Sequence, residues 1–160
     1  MPEVAKDEDK VSSIMTKEVL TVDSSETVRA ALKRMREENV GSLIVTEAGK
    51  AVGIITERDI ARLCGEKRDL GFLEGKVKPI MKSPLVKVGP ETLVWDALEV
   101  MLNRSIRRLP VMRNDELLGI ITERDIMLYF LKVVYQPSPP ENIRRLVEEA
   151  FIKHRRISLK

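Results

Sequence analysis

A chain of 160 residues with 43% hydrophobic and 33% charged side chains suits one compact domain or two small ones sharing a core. No apolar run nears the roughly 20 residues of a membrane helix, the single cysteine excludes an internal disulfide, and Cys64 with His154 cannot make a usual structural zinc site. The net charge of +3 is uneven, with seven basic against three acidic residues in 129–160, so the body is balanced and a broad nucleic-acid face on it is not expected.

Residues 1–10 are acidic and polar, without the basic and apolar stretches of a secretory signal, so the expected compartment is the cytosol. An apolar strand follows at Val19 to Val22. Val28, Ala31, Leu32 and Met35 then fall at i, i+3, i+4 and i+7, the spacing of an amphipathic helix face. Leu43 to Val45 is a second strand, residues 47–50 form a hairpin turn, and Ala51 to Ile55 is a third strand, apolar enough to be covered on both faces. A second helix starts after Thr56. The polar stretch 65–76 reads as a linker.

From residue 77 the order repeats. Gly-Ile-Ile-Thr-Glu-Arg-Asp-Ile occurs at 53–60 and again at 119–126, and the same shift of 66 residues carries Met15 to Met81, Val28 to Val94, Met35 to Met101 and Leu43 to Leu109. The chain is a tandem duplication of a βαββα unit. A unit of this size leaves one sheet face bare, and pairing sheet to sheet buries it. The expected organisation is a flexible segment 1–10, repeat one at 11–64, a linker at 65–76, repeat two at 77–134, and a turn with a basic C-terminal helix at 135–160. The fold class is α+β. Strands are expected at Leu85 to Val88, Leu109 to Met112 and Leu117 to Ile121. In the tail, Ser138 and Glu141 suit a capping box, and Ile143, Leu146, Val147 and Ala150 form an apolar stripe. Cys64 reads as a buried or half-buried thiol, the repeated methionines as core filler, and Trp95 as an interface residue.

The chemistry concentrates in the octapeptide. Thr56 with Asp59, and Thr122 with Asp125, have capping-box spacing at a helix start. The same geometry suits a ligand, because a helix N-terminus offers N–H groups to an anion and a carboxylate can take both hydroxyls of a ribose. Gly53 and Gly119 on the preceding strand would leave room for a ligand against backbone. Spacing alone does not separate capping from binding.

The ordered set of Ile14-Met15 and Ile80-Met81, the helix starts at Glu26-Thr27-Val28 and Thr92-Leu93-Val94, Arg108-Leu109-Pro110-Val111, and Gly-Ile-Ile-Thr-x-x-Asp twice resembles two cystathionine-β-synthase (CBS) domains in tandem, a Bateman module. The resemblance covers about residues 11–130. It implies two clefts related by a pseudo-twofold axis, each holding an adenosine-type ligand such as AMP, ADP, ATP or an S-adenosyl compound. One cleft would use Thr56, Arg58 and Asp59 with Thr92. The other would use Thr122, Arg124 and Asp125 with Arg107 and Arg108. Glu26 departs from the family pattern, as a carboxylate there would repel a phosphate, and Gly41 and Ser42 stand where the second repeat has the two arginines, so the clefts are unequal. The resemblance also implies a homodimer and a regulatory role exerted on a separate protein, with no reaction, no metal and no cofactor beyond the regulatory ligand. Its rivals are a ligand-free dimeric interaction module and a nucleic-acid binder using the basic tail.

Overall fold

The computed structural model describes residues 7–67, 69–134 and Arg145. The expected C-terminal helix and His154 lie outside them. The elements run in chain order α1 (Val11–Ile14), β1 (Thr21–Asp23), α2 (Val28–Glu37), β2 (Ser42–Glu47), β3 (Lys50–Thr56), α3 (Glu57–Glu66), a 3₁₀ turn (Gly71–Glu74), α4 (Val94–Arg104), β4 (Arg108–Arg113), β5 (Glu116–Thr122) and α5 (Glu123–Val134). This is the mixed α+β content that the periodicities predict.

The chain divides into two compact units, and their boundaries do not follow the sequence repeats. Among the described residues, one unit joins those of 19–86 with 114–116; the other joins those up to 18 with 87–113 and those from 117 onward. Each unit therefore takes its strands and large helices from one repeat and its edge segment from the other.

In the unit built on β1–β3, the strands form one sheet in that order, β1 parallel and β3 antiparallel to β2. The β2–β3 hairpin sets Leu43 against Ile55 and Val45 against Gly53. Its turn needs left-handed backbone, which Gly49 adopts at φ 76° and Ala48 at φ 49°. The α2 stripe works as its spacing requires: Val28, Ala31 and Met35 are buried with Val22, Leu43, Val45, Ile55 and Ile60. Thr27 caps this helix by accepting from the Ala30 N–H at 3.1 Å. Burial alternates along β3, with Ile55 buried and Val52 and Ile54 half-buried, so this strand is not covered on both faces as its apolar run predicts.

The segment 75–82 closes the same unit. The Val77 N–H donates to the Glu26 carbonyl at 2.8 Å and the Lys78 N–H to the Ser24 carbonyl at 3.1 Å. Further along, Lys82 and Ile54 exchange both backbone hydrogen bonds at 2.8 and 3.0 Å, which adds an edge to β3. The stretch 65–76 is more than a polar linker, because its 3₁₀ turn buries Leu73 in the core.

The other unit repeats this construction. Here residues 10–16 supply the edge segment: the Val11 N–H donates to the Thr92 carbonyl at 2.8 Å, and Thr16 and Ile120 exchange both backbone bonds at 2.9 Å. The expected strand at Leu85 to Val88 is not formed as such; it contracts to a bridge between Val88 and Val111. The cause is Pro110. In the first repeat the Ile44 N–H donates to the Leu20 carbonyl at 3.1 Å, and the proline at the matching position has no N–H to donate.

Candidate functional site

Each copy of the octapeptide places its threonine at the junction of strand and helix. At the start of α3 the Thr56 hydroxyl accepts from the Asp59 N–H at 3.2 Å. In return, Asp59 Oδ2 accepts from the Thr56 N–H at 3.2 Å and its hydroxyl at 2.6 Å. At the start of α5 the bonds are the same: Asp125 Oδ2 accepts from the Thr122 N–H at 2.8 Å and its hydroxyl at 2.7 Å, and the Asp125 N–H donates to Thr122 Oγ1 at 3.3 Å. Both carboxylates are buried, Asp59 to 4% exposure and Asp125 to 6%. A buried carboxylate is costly unless it is bonded, and the capping box supplies two donors to one of its oxygens.

The second oxygen of Asp59 is bonded as well. Asp59 Oδ1 receives the Lys82 ammonium at 2.8 Å, from a side chain that is itself 56% exposed. Burial pushes the Asp59 carboxyl up, but the hydrogen bonds and charge of Lys82 and the bonds from Thr56 outweigh it, and the pKa falls below its ordinary 3.8. The residue matching Lys82 in the other unit is Thr16, which carries no charge.

Gly53 and Gly119 do not hold space open for a ligand. A Cβ on Gly53 would meet Met81 Sδ at 2.7 Å and the Lys82 carbonyl at 2.9 Å; on Gly119 it would meet Met15 Sδ at 2.6 Å and the Thr16 carbonyl at 2.8 Å. The repeated glycines admit the edge segment instead, and the repeated methionines lie over them.

Thr56, Arg58 and Asp59 share one unit, with Arg58 exposed in the first turn of α3. Thr92, Arg107, Arg108, Thr122, Arg124 and Asp125 belong to the other. There the Arg107 carbonyl accepts from the Glu123 N–H at 2.9 Å, and its exposed guanidinium lies 3.8 Å from the Glu123 carboxylate. Arg108 opens β4 half-buried, and Arg124 is exposed. Thr92 is half-buried, its carbonyl tied to Val11. Glu26 is occupied locally, accepting from the Asp23 N–H at 3.0 Å. Cys64 is exposed, contrary to the buried or half-buried thiol expected, because it lies on the outer face of α3. The residue the sequence does not reveal is Lys82, which reaches Asp59 only through the exchange of edge segments.

The CBS domain family matches residues 11–66 and 77–132. The chain belongs to the CBS domain family. A 17.7 kDa protein from the bps2 3′ region of Acidianus ambivalens is 40% identical over 126 residues, which span 78% of this chain and 74% of that protein. Some relatives are longer, and the chain spans 31% of one and 25% of another. Among solved structures, CBSX2 in complex with AMP is similar with a TM-score of 0.68 at 28% identity, over 78% of this chain and 97% of that one. The CBS domain pair of MJ0100, in complex with 5′-methylthioadenosine and S-adenosyl-L-methionine, is similar with a TM-score of 0.68 at 26% identity, over 76% of this chain and 94% of that one. Among the described residues, no helix is long and apolar enough to cross a membrane, and no cluster of His, Cys, Asp or Glu could hold a metal ion.

Proposed function

We propose that this CBS domain pair is a regulatory module of the cytoplasm that binds an adenosine-type ligand (AMP, ADP, ATP or an S-adenosyl compound) at its two Thr-x-x-Asp helix starts, and catalyses no reaction. The observation that carries the reading is the pair of buried carboxylates, Asp59 and Asp125, each held by its capping threonine at a helix N-terminus. Asp59 and Asp125 would take the ribose hydroxyls. Thr56 and Thr122, the arginines Arg58, Arg107, Arg108 and Arg124, and Thr92 would meet the polar and anionic parts of the ligand. The AMP, methylthioadenosine and S-adenosylmethionine named for two similar structures support this ligand class.

Regulation requires that the ligand favour one of two states that a partner can distinguish. The partner would be a second protein, and the module itself a homodimer. An exposed apolar face supports the dimer: Trp95 and Leu102 on α4 are 59% and 67% exposed, Met127 on α5 is 54% exposed, and the Trp95 ring packs at a tilt against Phe130 with centroids 4.1 Å apart.

A thermal-shift screen with AMP, ADP, ATP, S-adenosylmethionine and methylthioadenosine, with GTP as control, tests the ligand. A ligand at about 100 times its dissociation constant adds roughly 2.7 kcal/mol to stability. A rise confined to adenosine compounds is the expected result. No rise with any of them at millimolar concentration would leave the capping boxes as purely structural and favour a ligand-free interaction module.

A further inference from the structure

We infer that two copies of this chain meet by unlike faces: the basic outer stripe of α2, with α3, on one copy docks on the apolar and acidic outer stripe of α4, with α5, on the other. This inference rests on the homodimer reading and names the surfaces that meet.

The repeat makes the two stripes comparable position by position. Spacing of i, i+4 and i+7 puts Arg29, Lys33 and Arg36 on one side of α2, flanking the buried Val28, Ala31 and Met35, and all three are exposed. The matching residues of α4 are Trp95, Glu99 and Leu102, exposed in the same way beside the buried Val94, Ala97 and Met101. Asp96 adds a second exposed acid there, where α2 has Ala30. The contact of Trp95 with Phe130 joins the α4 stripe to α5, on which Met127 is exposed. At the positions matching Met127 and Phe130, α3 carries Ala61 and Cys64, both small and exposed. The two stripes therefore differ in opposite senses, one basic and beside small residues, the other acidic, apolar and bulky.

A face that meets its own copy about a twofold axis sets like against like. Two α4 stripes would bring Asp96 and Glu99 toward the same acids, and two α2 stripes would oppose three cations to three cations. Docking α2 on α4 removes both conflicts. It sets Lys33 against Glu99, lets an arginine lie on the Trp95 indole, and lays the aliphatic stems of Arg29 and Arg36 over apolar surface. The bulk of Met127 and Phe130 falls on the small Ala61 and Cys64. Within one copy, Arg29 pairs with Glu74, and Lys33 lies 3.8 Å from Glu37, both at the surface. Such exposed pairs hold side chains weakly and allow them to turn to a new partner.

Sedimentation equilibrium of the full chain tests the pairing by charge exchange. It compares the unaltered protein with Lys33→Glu, Glu99→Lys and the variant carrying both. Each single change is expected to raise the dimer dissociation constant about tenfold or more, because it opposes like charges. The double variant should return to the affinity of the unaltered chain. Both positions are exposed, so each variant should keep the parent's melting temperature as a monomer. A fold damaged by Lys33→Glu on α2 would not be repaired by Glu99→Lys on another helix, so recovery reports the contact and not folding. Dimer affinity unchanged by either single change, or lost in both and not recovered in the double variant, would overturn the pairing of unlike faces and leave the homodimer standing. An unaltered chain that stays monomeric at every concentration would overturn the homodimer reading and this inference together.

Discussion

The two helix starts share eight identical residues and the same capping bonds, yet the segments packed around them differ. Beside Asp59 stands Lys82; in the matching place beside β5 stands Thr16. The Glu57 N–H, after Thr56, donates to the Gly41 carbonyl, whereas the Glu123 N–H, after Thr122, donates to the Arg107 carbonyl. The helices diverge as well. Arg29 and Arg36 on α2 correspond to Trp95 and Leu102 on α4, and Cys64 on α3 corresponds to Phe130 on α5. Duplication preserved what builds a unit, namely the core stripe, the cap and the glycine under the edge segment. What faces solvent, ligand or partner was free to separate.

The shared half of this comparison predicts the largest effects. Met35 and Met101 are both fully buried at matching places, so Met35→Ala and Met101→Ala should each cost about 2–5 kcal/mol in chemical denaturation. A cost confined to one of them would break the equivalence of the two cores. Gly53→Ala and Gly119→Ala should each cost about 1–3 kcal/mol, because the new methyl meets a methionine sulfur and a backbone carbonyl that cannot withdraw.

The divergent half predicts smaller, unequal effects. The Asp59 pKa is depressed, so its contribution to stability is complete above the ordinary value of 3.8 and is lost as pH falls through the lower folded value. Lys82→Thr should reduce this acid-limb contribution, which urea melts between about pH 2 and 6 would read. The same acid limb in both proteins would mean that the Lys82 pair does not set it. Least in stability terms, Trp95→Arg with Leu102→Arg should turn a dimer into a monomer in sedimentation while leaving the melting temperature of the monomer nearly unchanged, since both side chains are exposed. A dimer that survives both changes would move the interface elsewhere.

Much of this was legible from sequence because it is periodic or local. The α2 and α4 stripes and the capping boxes are patterns within a few residues, and the 66-residue repeat is an identity visible by direct comparison of the two halves. The departures came from contacts between distant segments. Residues 10–16 and 75–82 leave their own repeats to edge the other's strands, and no periodicity reports that exchange. It explains why Gly53 and Gly119 read as room for a ligand when they are filled by Met81 and Met15. It also explains why Lys82, 23 positions from Asp59, was not among the expected site residues. Leu73 was hidden because its stretch, 65–76, shows neither helical nor strand periodicity and is rich in glycine and charge. Pro110 was visible, but its missing N–H mattered only once its partner strand was known.

The most direct test titrates AMP into the unaltered chain, Asp59→Ala and Asp125→Ala by isothermal titration calorimetry, with each variant's melt recorded beside it. The expected result is heat of binding to the unaltered chain, with each variant losing at least tenfold in affinity or one site in stoichiometry. Loss of a cap alone costs about 0.5–2 kcal/mol of stability. Variants that lose only that stability and keep the parent's affinity and stoichiometry would contradict the assignment of the two aspartates to a ligand.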